Sequence, residues 1–399
     1  MNMISPTEKV VGERKIDARR GSTNGAVSAQ WFSRPDDQRF TSLDDLLASV
    51  QRRRENSFEK LVKVEDFRFH ASRDDETSLT ITAGDDAPFA PTHYSMQQLC
   101  SLVGAPGPYI RRQHAMRAAF NLQQDVLDRG EGRDFKFYAE NEEHTLRAIT
   151  GPDYGRIYDA DLVQAVMKFA GSGTGDTRWK IPGQIDWAKG TYNPFVDVTK
   201  QSTTLYASDR DVFMFLADDL HPIEIGKLPN GDPDYVMRGF YTYNSEVGAR
   251  SMGIATFLFR GPCQNRILWG VEQFDELRIV HSKYGNRRFE REAAPALARY
   301  ADASTATVLA GITAAREALV APDDEARVKF LNKDLDLSMK MALNIIETHE
   351  REEGRKPETV WDLVQGMTAV ARTIPNTDNR LELEKVAGKL MNRAARNAV

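Results

Sequence analysis

Cys263 and His281 are a pair of residues whose types would support covalent chemistry. A thiolate beside an imidazole is a nucleophile–base pair, and Asn244 or Asn265 could supply the amide that orients the ring. That chemistry requires the strands carrying them to be neighbours. Otherwise Cys263 is a small buried apolar residue and His281 bonds a backbone carbonyl, and the sequence leaves both readings open. Around the pair, in the otherwise apolar stretch Arg238–Tyr284, stand Asn244, Ser245, Glu246, Arg250, Arg260 and Asn265. Polar groups on strands this apolar must satisfy one another, so they form a locked network or a site. On that argument Arg260, Cys263, Asn265, Asn244 and His281 are expected to lie close together.

A second chemistry is offered just downstream. Lys283, Tyr284, Arg287 and Arg288 follow directly where a strand passes into a helix. Cations beside an aromatic ring suit the backbone and bases of a single nucleic-acid strand. Positive charge at a helix start is also unfavourable by ~0.3–1 kcal/mol per charge, a mild conflict that an anionic partner would relieve. Arg111, Arg112 and Arg117 make a further basic group. They open the second helix of a helix, Gly-containing break, helix outline that is compatible with a DNA-reading motif, although two packed helices with a solvated basic face are the commoner use of it. No metal or cofactor is expected. Asp218, Asp219, His221 and Glu224 have ligand chemistry, but Pro222 and the turn downstream favour a solvated hairpin loop. Gly171-Ser-Gly-Thr-Gly-Asp lacks the Lys-Ser/Thr ending of a phosphate-binding loop.

The elements that must position these residues follow from the same residues. Arg238–Asn244 and Ile254–Arg260 read as strands flanking a turn region. Ser42 caps a helix through Arg54, and alternation over Phe58–His70 and Thr77–Thr82 reads as a strand pair. Ser95 with Gln98 has the form of a capping box for a short helix, and Tyr109–Arg129 reads as a second one. Strands are expected at Phe135–Ala139, Thr145–Thr150, Thr203–Ala207 and Val212–Ala217, with a helix from Asp159 to Phe169. From Phe289 on, apolar residues recur at helical spacing, giving one helix to Leu319 and others at Glu325–Glu352, Glu358–Arg372 and Arg380–Asn397. The fold class expected is α+β: a mixed or antiparallel sheet with flanking helices, followed by a C-terminal helical unit. Residues 1–40 read as a disordered tail, with Trp31 and Phe32 able to dock; 41–286 as the α+β core; and 287–399 as the helical region.

With 399 residues the chain can bury a large core, and 41% hydrophobic and 28% charged residues are ordinary for a globular protein. A net charge of −5 means that any nucleic-acid contact must be a local patch. Two cysteines make no disulfide framework, no apolar leader opens the chain, and no stretch suits a membrane span. A cytoplasmic protein without a membrane partner is the expectation, and a homo-oligomer is left open.

Several stretches resemble one family, the phage/plasmid-like proteins of bacterial mobile elements catalogued as a domain of unknown function. They are Asn244-Ser245-x-x-Gly248, Arg260-Gly-Pro-Cys263-Gln-Asn265 and Ile279-Val-His281-Ser. Ser95–Tyr109, Ala148–Tyr158, Thr359–Ala369 and Leu381–Leu390 resemble its other segments, and the match begins near residue 90. Gly261-Pro262 inside the signature and Arg266 after it depart from the usual form. The resemblance implies the context of a mobile element in a bacterial host cell and brings no established activity with it. With the basic residues above, the function expected is a phage- or plasmid-borne DNA-metabolism accessory that binds nucleic acid, with single-strand binding or annealing by analogy of context. Two alternatives stand beside it: an enzyme built on Cys263 and His281, and a protein-binding inhibitor of host defence.

Overall fold

The larger sheet is built by strict alternation. Met214, Leu216 and Phe240 turn to one side, while Phe213, Phe215 and Tyr241, their chain neighbours, turn to the other, and both sets are buried. The structure, a computed structural model, describes residues 15–17, 34–71, 78–84, 86–130, 132–175, 177–181, 184–186, 191–193, 197–201, 203–227, 231, 233–260, 265–267, 276–302, 304–371, 373–374 and 377–397.

In chain order the first elements are β1 (Lys15–Asp17), β2 (Arg39–Phe40), α1 (Leu43–Glu55), β3 (Ser57–Lys63), β4 (Phe67–Ala71), β5 (Leu79–Ala83) and β6 (Ala90–Pro91). Next come α2 (His93–Leu102), α3 (Gly107–Ile110), α4 (Ala115–Gly130), β7 (Asp134–Glu140), β8 (Thr145–Thr150) and α5 (Asp159–Ala170). The strands β9 (Gln184–Asp186), β10 (Thr191–Asn193), β11 (Leu205–Ala207), β12 (Val212–Lys227), β13 (Pro233–Asn244), β14 (Met252–Arg260), β15 (Asn265–Ile267) and β16 (Glu276–Ile279) follow. The chain closes with α6 (Gly285–Asp302), α7 (Thr305–Glu317), α8 (Asp324–Lys333), α9 (Met339–Glu353), α10 (Val360–Ala371) and α11 (Thr377–Asn397).

The seven-stranded sheet runs β15-β14-β13-β12-β11-β2, with β16 pairing antiparallel to β14. One of its faces packs on α1, α5 and α6. The four-stranded sheet β3-β7-β8-β6 is antiparallel except for β6, which runs parallel to β8, and it shares a core with β4, β5, α2 and α4. A third core joins Ile223, Ile225, Val236 and Leu258, at the far end of the large sheet, to helices α7–α11. The α+β fold with a C-terminal helical unit is the one expected.

Close contacts within the sheet and at its two ends fix these layers. Gly239 pairs with Phe257 and Gly253 with Tyr243, and each ring lies where the glycine's Cβ would be. Tyr300 of α6 accepts from the Gly239 N–H at 3.2 Å and donates to the Phe257 carbonyl at 2.8 Å, pinning helix to sheet. At the other end, buried Asp234 accepts from Arg260 Nε and Nη2 at 2.8 and 2.9 Å and from Arg316 at 3.0 Å. Both guanidinium groups stand over the Trp361 ring.

Several expectations are corrected. Lys15–Asp17 and Arg39–Phe40, in the supposed tail, pair with β9 and β11, and Arg34 bonds Asp211 at 2.8 Å; Trp31 and Phe32 lie outside the described residues. Phe58–His70 is two strands separated by the turn Val64–Asp66, with β3 pairing β7 and β4 pairing β5. Ser95 is not the cap: Thr92 accepts from the Ser95 N–H, while the Ser95 hydroxyl donates to the Leu146 carbonyl. Tyr109–Arg129 breaks after Ile110. The helices expected at 289–319 and 325–352 each divide in two, where Ser304 and Ser338 cap new N-termini. Asp218 and Asp219 lie buried in β12 rather than in a solvated loop. Arg178 stands 2.7 Å from Asp218, Lys180 stands 3.5 Å from Asp219, and the described residues hold no metal-binding group of acidic, His or Cys side chains.

Gly239→Ala should force a methyl into the Phe257 ring and cost ~1–3 kcal/mol, as overpacked cores do. Equilibrium denaturation checks this, and an unchanged midpoint would show that the ring gives way freely.

Candidate functional site

The end of β13 delivers Asn244, Ser245 and Glu246 into a space bounded by β7, β8 and the turn that leads into α5. Arg147, on β8, meets them there. Its Nη1 lies 2.6 Å from Glu246 Oε1 and 2.9 Å from the Tyr138 hydroxyl, its Nε lies 3.2 Å from Glu140, and its Nη2 donates to the Asp209 carbonyl at 3.3 Å. The second carboxylate oxygen of Glu246 accepts from the Asp159 N–H at 3.2 Å. Arg156 donates to the Glu246 carbonyl and, at 2.6 Å, to Glu59, with its guanidinium 3.9 Å from the centre of the Tyr138 ring.

Asn244 and His281 grip the same short segment. The Asn244 amide donates to the Ile157 carbonyl at 2.7 Å and to Asp159 Oδ1 at 2.8 Å. His281 Nδ1 accepts from the Ile157 N–H at 3.2 Å, and its ring stacks on Tyr154 at 5.1 Å with the planes 2° apart. At Gly155 the Ser282 carbonyl occupies the place of a Cβ, so only glycine permits this approach. Ser245 completes the turn by donating to the Arg210 carbonyl at 2.6 Å and accepting from the Ala249 N–H at 2.9 Å.

Burial works against charge on Glu246, but Arg147, Arg53 and the Asp159 amide outweigh it and hold the group ionised, below its ordinary range. Asp159 shifts the opposite way: burial first, then the Glu246 charge, pushes its pKa well up. The two shifts run in opposite directions because a charge on one of two adjacent carboxyl groups disfavours a charge on the other. Burial, with the Arg156 cation adding to it, pushes His281 down to about 4, so the ring is neutral at neutral pH. Asp159 Oδ2, Asn244 Oδ1 and Arg156 Nη2 have no hydrogen-bond partner among the described residues.

The arrangement can therefore do little acid–base work. An imidazole that weakly basic, pinned at one nitrogen and stacked on a tyrosine, is poorly matched to general-base catalysis near neutrality. Cys263 lies outside the described residues, and Asn265 is placed only through its strand, opposite Arg260. The expected grouping is corrected at Arg260. Antiparallel pairing sets Arg260 against Val236 and Gly253 against Tyr243, so at ~3.4 Å per residue Arg260 sits about 27 Å from Asn244, at the Asp234 cluster. Arg250 reaches neither group and lies 3.7 Å from Asp211.

On the rim, Lys283, Tyr284, Arg287 and Arg288 are all exposed around the first turn of α6, with Arg288 3.0 Å from Glu292. Arg111, Arg112 and Arg117 are exposed where α3 gives way to α4. A cleft of about 460 Å³ opens between α5 and α6, lined by residues that include Tyr158, Gln164, Lys168, Asn286, Phe289 and Glu290. Arg147, Arg156 and Asp159 were missed from sequence. The signal available was the arginine inside the otherwise small and apolar run Thr145–Thr150, five of whose six residues are buried.

Fold and site together describe an α+β protein with an internal polar lock and a charged rim. Comparison with family models, with curated proteins and with solved structures finds no match for this chain.

Glu246→Gln should leave Glu140 as the one carboxylate beside Arg147 among the described residues and cost about 1–3 kcal/mol by denaturant titration. His281 gives a pH signature. Its folded pKa lies below its unfolded value, so the stability it contributes is full above pH ~6.5 and is lost as the pH falls toward 4. His281→Gln should flatten that decline by roughly 3 kcal/mol, and an equally steep decline in the variant would refute the assignment.

Proposed function

We propose that this protein binds nucleic acid through its exposed rim, as a DNA-metabolism accessory of a phage or plasmid. The observation that supports this reading is the exposure of three large rings among cations. Tyr109 and Phe120 are 62% and 67% exposed beside Arg111, Arg112 and Arg117, and Tyr284 is 58% exposed beside Lys283 and Arg287. Rings left in water offer stacking platforms for bases, and the flanking cations suit phosphates. The local setting matters more than the net charge of −5, because salt screens distant carboxylates beyond ~8 Å.

Met116, Phe120 and Leu127, exposed on one face of α4, would also fit an apolar protein partner, which is the inhibitor reading. Salt dependence separates the two. Each phosphate contact with a single strand contributes a slope of about −0.7 in log affinity against log salt. Replacing Lys283 and Arg287 together by alanine should flatten the slope by ~1.4 and weaken binding to every sequence alike. Arg288 contributes less because Glu292 already holds it. An unchanged slope would place the contact at Arg111, Arg112 and Arg117, and absence of binding at low salt would remove the nucleic-acid reading.

A further inference from the structure

His93, the first residue of α2, is approached by two arginines. Arg111 Nη1 meets its Nε2, and Arg210 Nη2 lies 3.1 Å from its Nδ1. A neutral imidazole has one acceptor nitrogen; the other carries a hydrogen. At one of these two contacts a donor therefore faces a donor. Protonating the ring makes this worse, since both nitrogens then donate and three cations meet. Among the described residues neither arginine has a carboxylate at ion-pair distance, and Asp209 acts on the ring only as a more distant anion. All three side chains are exposed.

The cluster is also held in place. The Arg210 carbonyl accepts from Ser245, the Asp209 carbonyl accepts from Arg147, and the Arg210 guanidinium stands 5.9 Å from the Tyr94 ring centre. The Thr92 N–H bonds the Leu146 carbonyl, which fixes the start of α2. Like charges carried on fixed backbone, with a donor turned toward a donor, lack only an acceptor with several oxygens.

We propose that Arg111, His93 and Arg210 form a binding point for a phosphate monoester, namely the terminal phosphate of a nucleic-acid strand. The source rests on the nucleic-acid reading above; the anion chemistry does not. A monoester has three acceptor oxygens and a charge of about −1.5 to −2 at neutral pH, which matches two guanidinium forks and an imidazole N–H. An internal phosphodiester, with one charge and two free oxygens, matches them less well.

The test uses the full chain and one single-stranded oligonucleotide in three forms: 5′-phosphorylated, 3′-phosphorylated and unphosphorylated. At least one phosphorylated form should bind tenfold or more tightly than the unphosphorylated one. Arg210→Ala should abolish that difference while keeping the melting temperature, and millimolar inorganic phosphate should erase it in the wild type. Should Arg210→Ala unfold, Arg111→Ala makes the same test. Equal binding of all three forms, with no effect of inorganic phosphate, would overturn the binding point and leave the nucleic-acid reading standing. Binding of inorganic phosphate that depends on Arg210, with no oligonucleotide bound, would overturn the strand as its source and the nucleic-acid reading with it.

Discussion

One buried ion pair holds this structure's elements in register. Arg147 and Glu246 are each about 2% exposed, and they lie 2.6 Å apart. Two charges taken so far from water are stable only if every remaining donor and acceptor is used, because desolvation otherwise exceeds the attraction between them. The surroundings are built to that requirement. Tyr138, Glu140, the Asp209 carbonyl and the Asp159 amide take up the other contacts, so strand, turn, loop and helix start are all tied to one pair. Burial and then the Glu246 charge push the pKa of Asp159 up in turn.

The rim inherits its geometry from this interior. The loop that carries Arg210 is held by Arg147 and Ser245, and the segment that carries Lys283 is held where the Ser282 carbonyl meets Gly155. Exposed cations on long side chains ordinarily lose their positions to entropy. Here the backbone of each stretch is fixed from within, which leaves only the side chains to be ordered. The far end of the sheet uses a different device for a different task. Asp234 between two arginines, stacked on Trp361, joins the strands to the C-terminal helices without contacting the rim.

How much of this could be read from residues alone differs from element to element. The polar triplet Asn244-Ser245-Glu246 at the end of an apolar strand announced a buried network, and the neighbours His281 and Asn244 do meet through Ile157. Arg147 left a local signal, a cation inside the buried run Thr145–Thr150, but its pairing with Glu246 99 residues on was not legible, and Arg156 and Asp159 likewise meet Glu246 90 and 87 residues away, which no local pattern encodes. Arg260 was misplaced for a geometric reason. Proximity in sequence to Cys263 hid the fact that a nine-residue strand carries its two ends far apart. The missed helix breaks had weak signals, Ser304 and Ser338, that an unbroken apolar periodicity masked. The Arg111–His93–Arg210 cluster joins residues 18 and 117 positions away from the histidine, so only the folded chain reveals it.

The close approach at Gly155 bears on how the molecule reaches this state. The turn there and the strand end at His281 are 124 residues apart at their hydrogen bond, and closing so long a loop is entropically slow. Until that closure Tyr154 lacks its stacking partner and the Ile157 amide its acceptor, although Arg147 and Glu246 can already have met. In the folded chain the strand end that brings His281 therefore lies against a turn with no side chain in its path. A methyl at that single position would leave each sheet intact and meet the Ser282 carbonyl, so its cost would fall on the joint between the sheets rather than on either one.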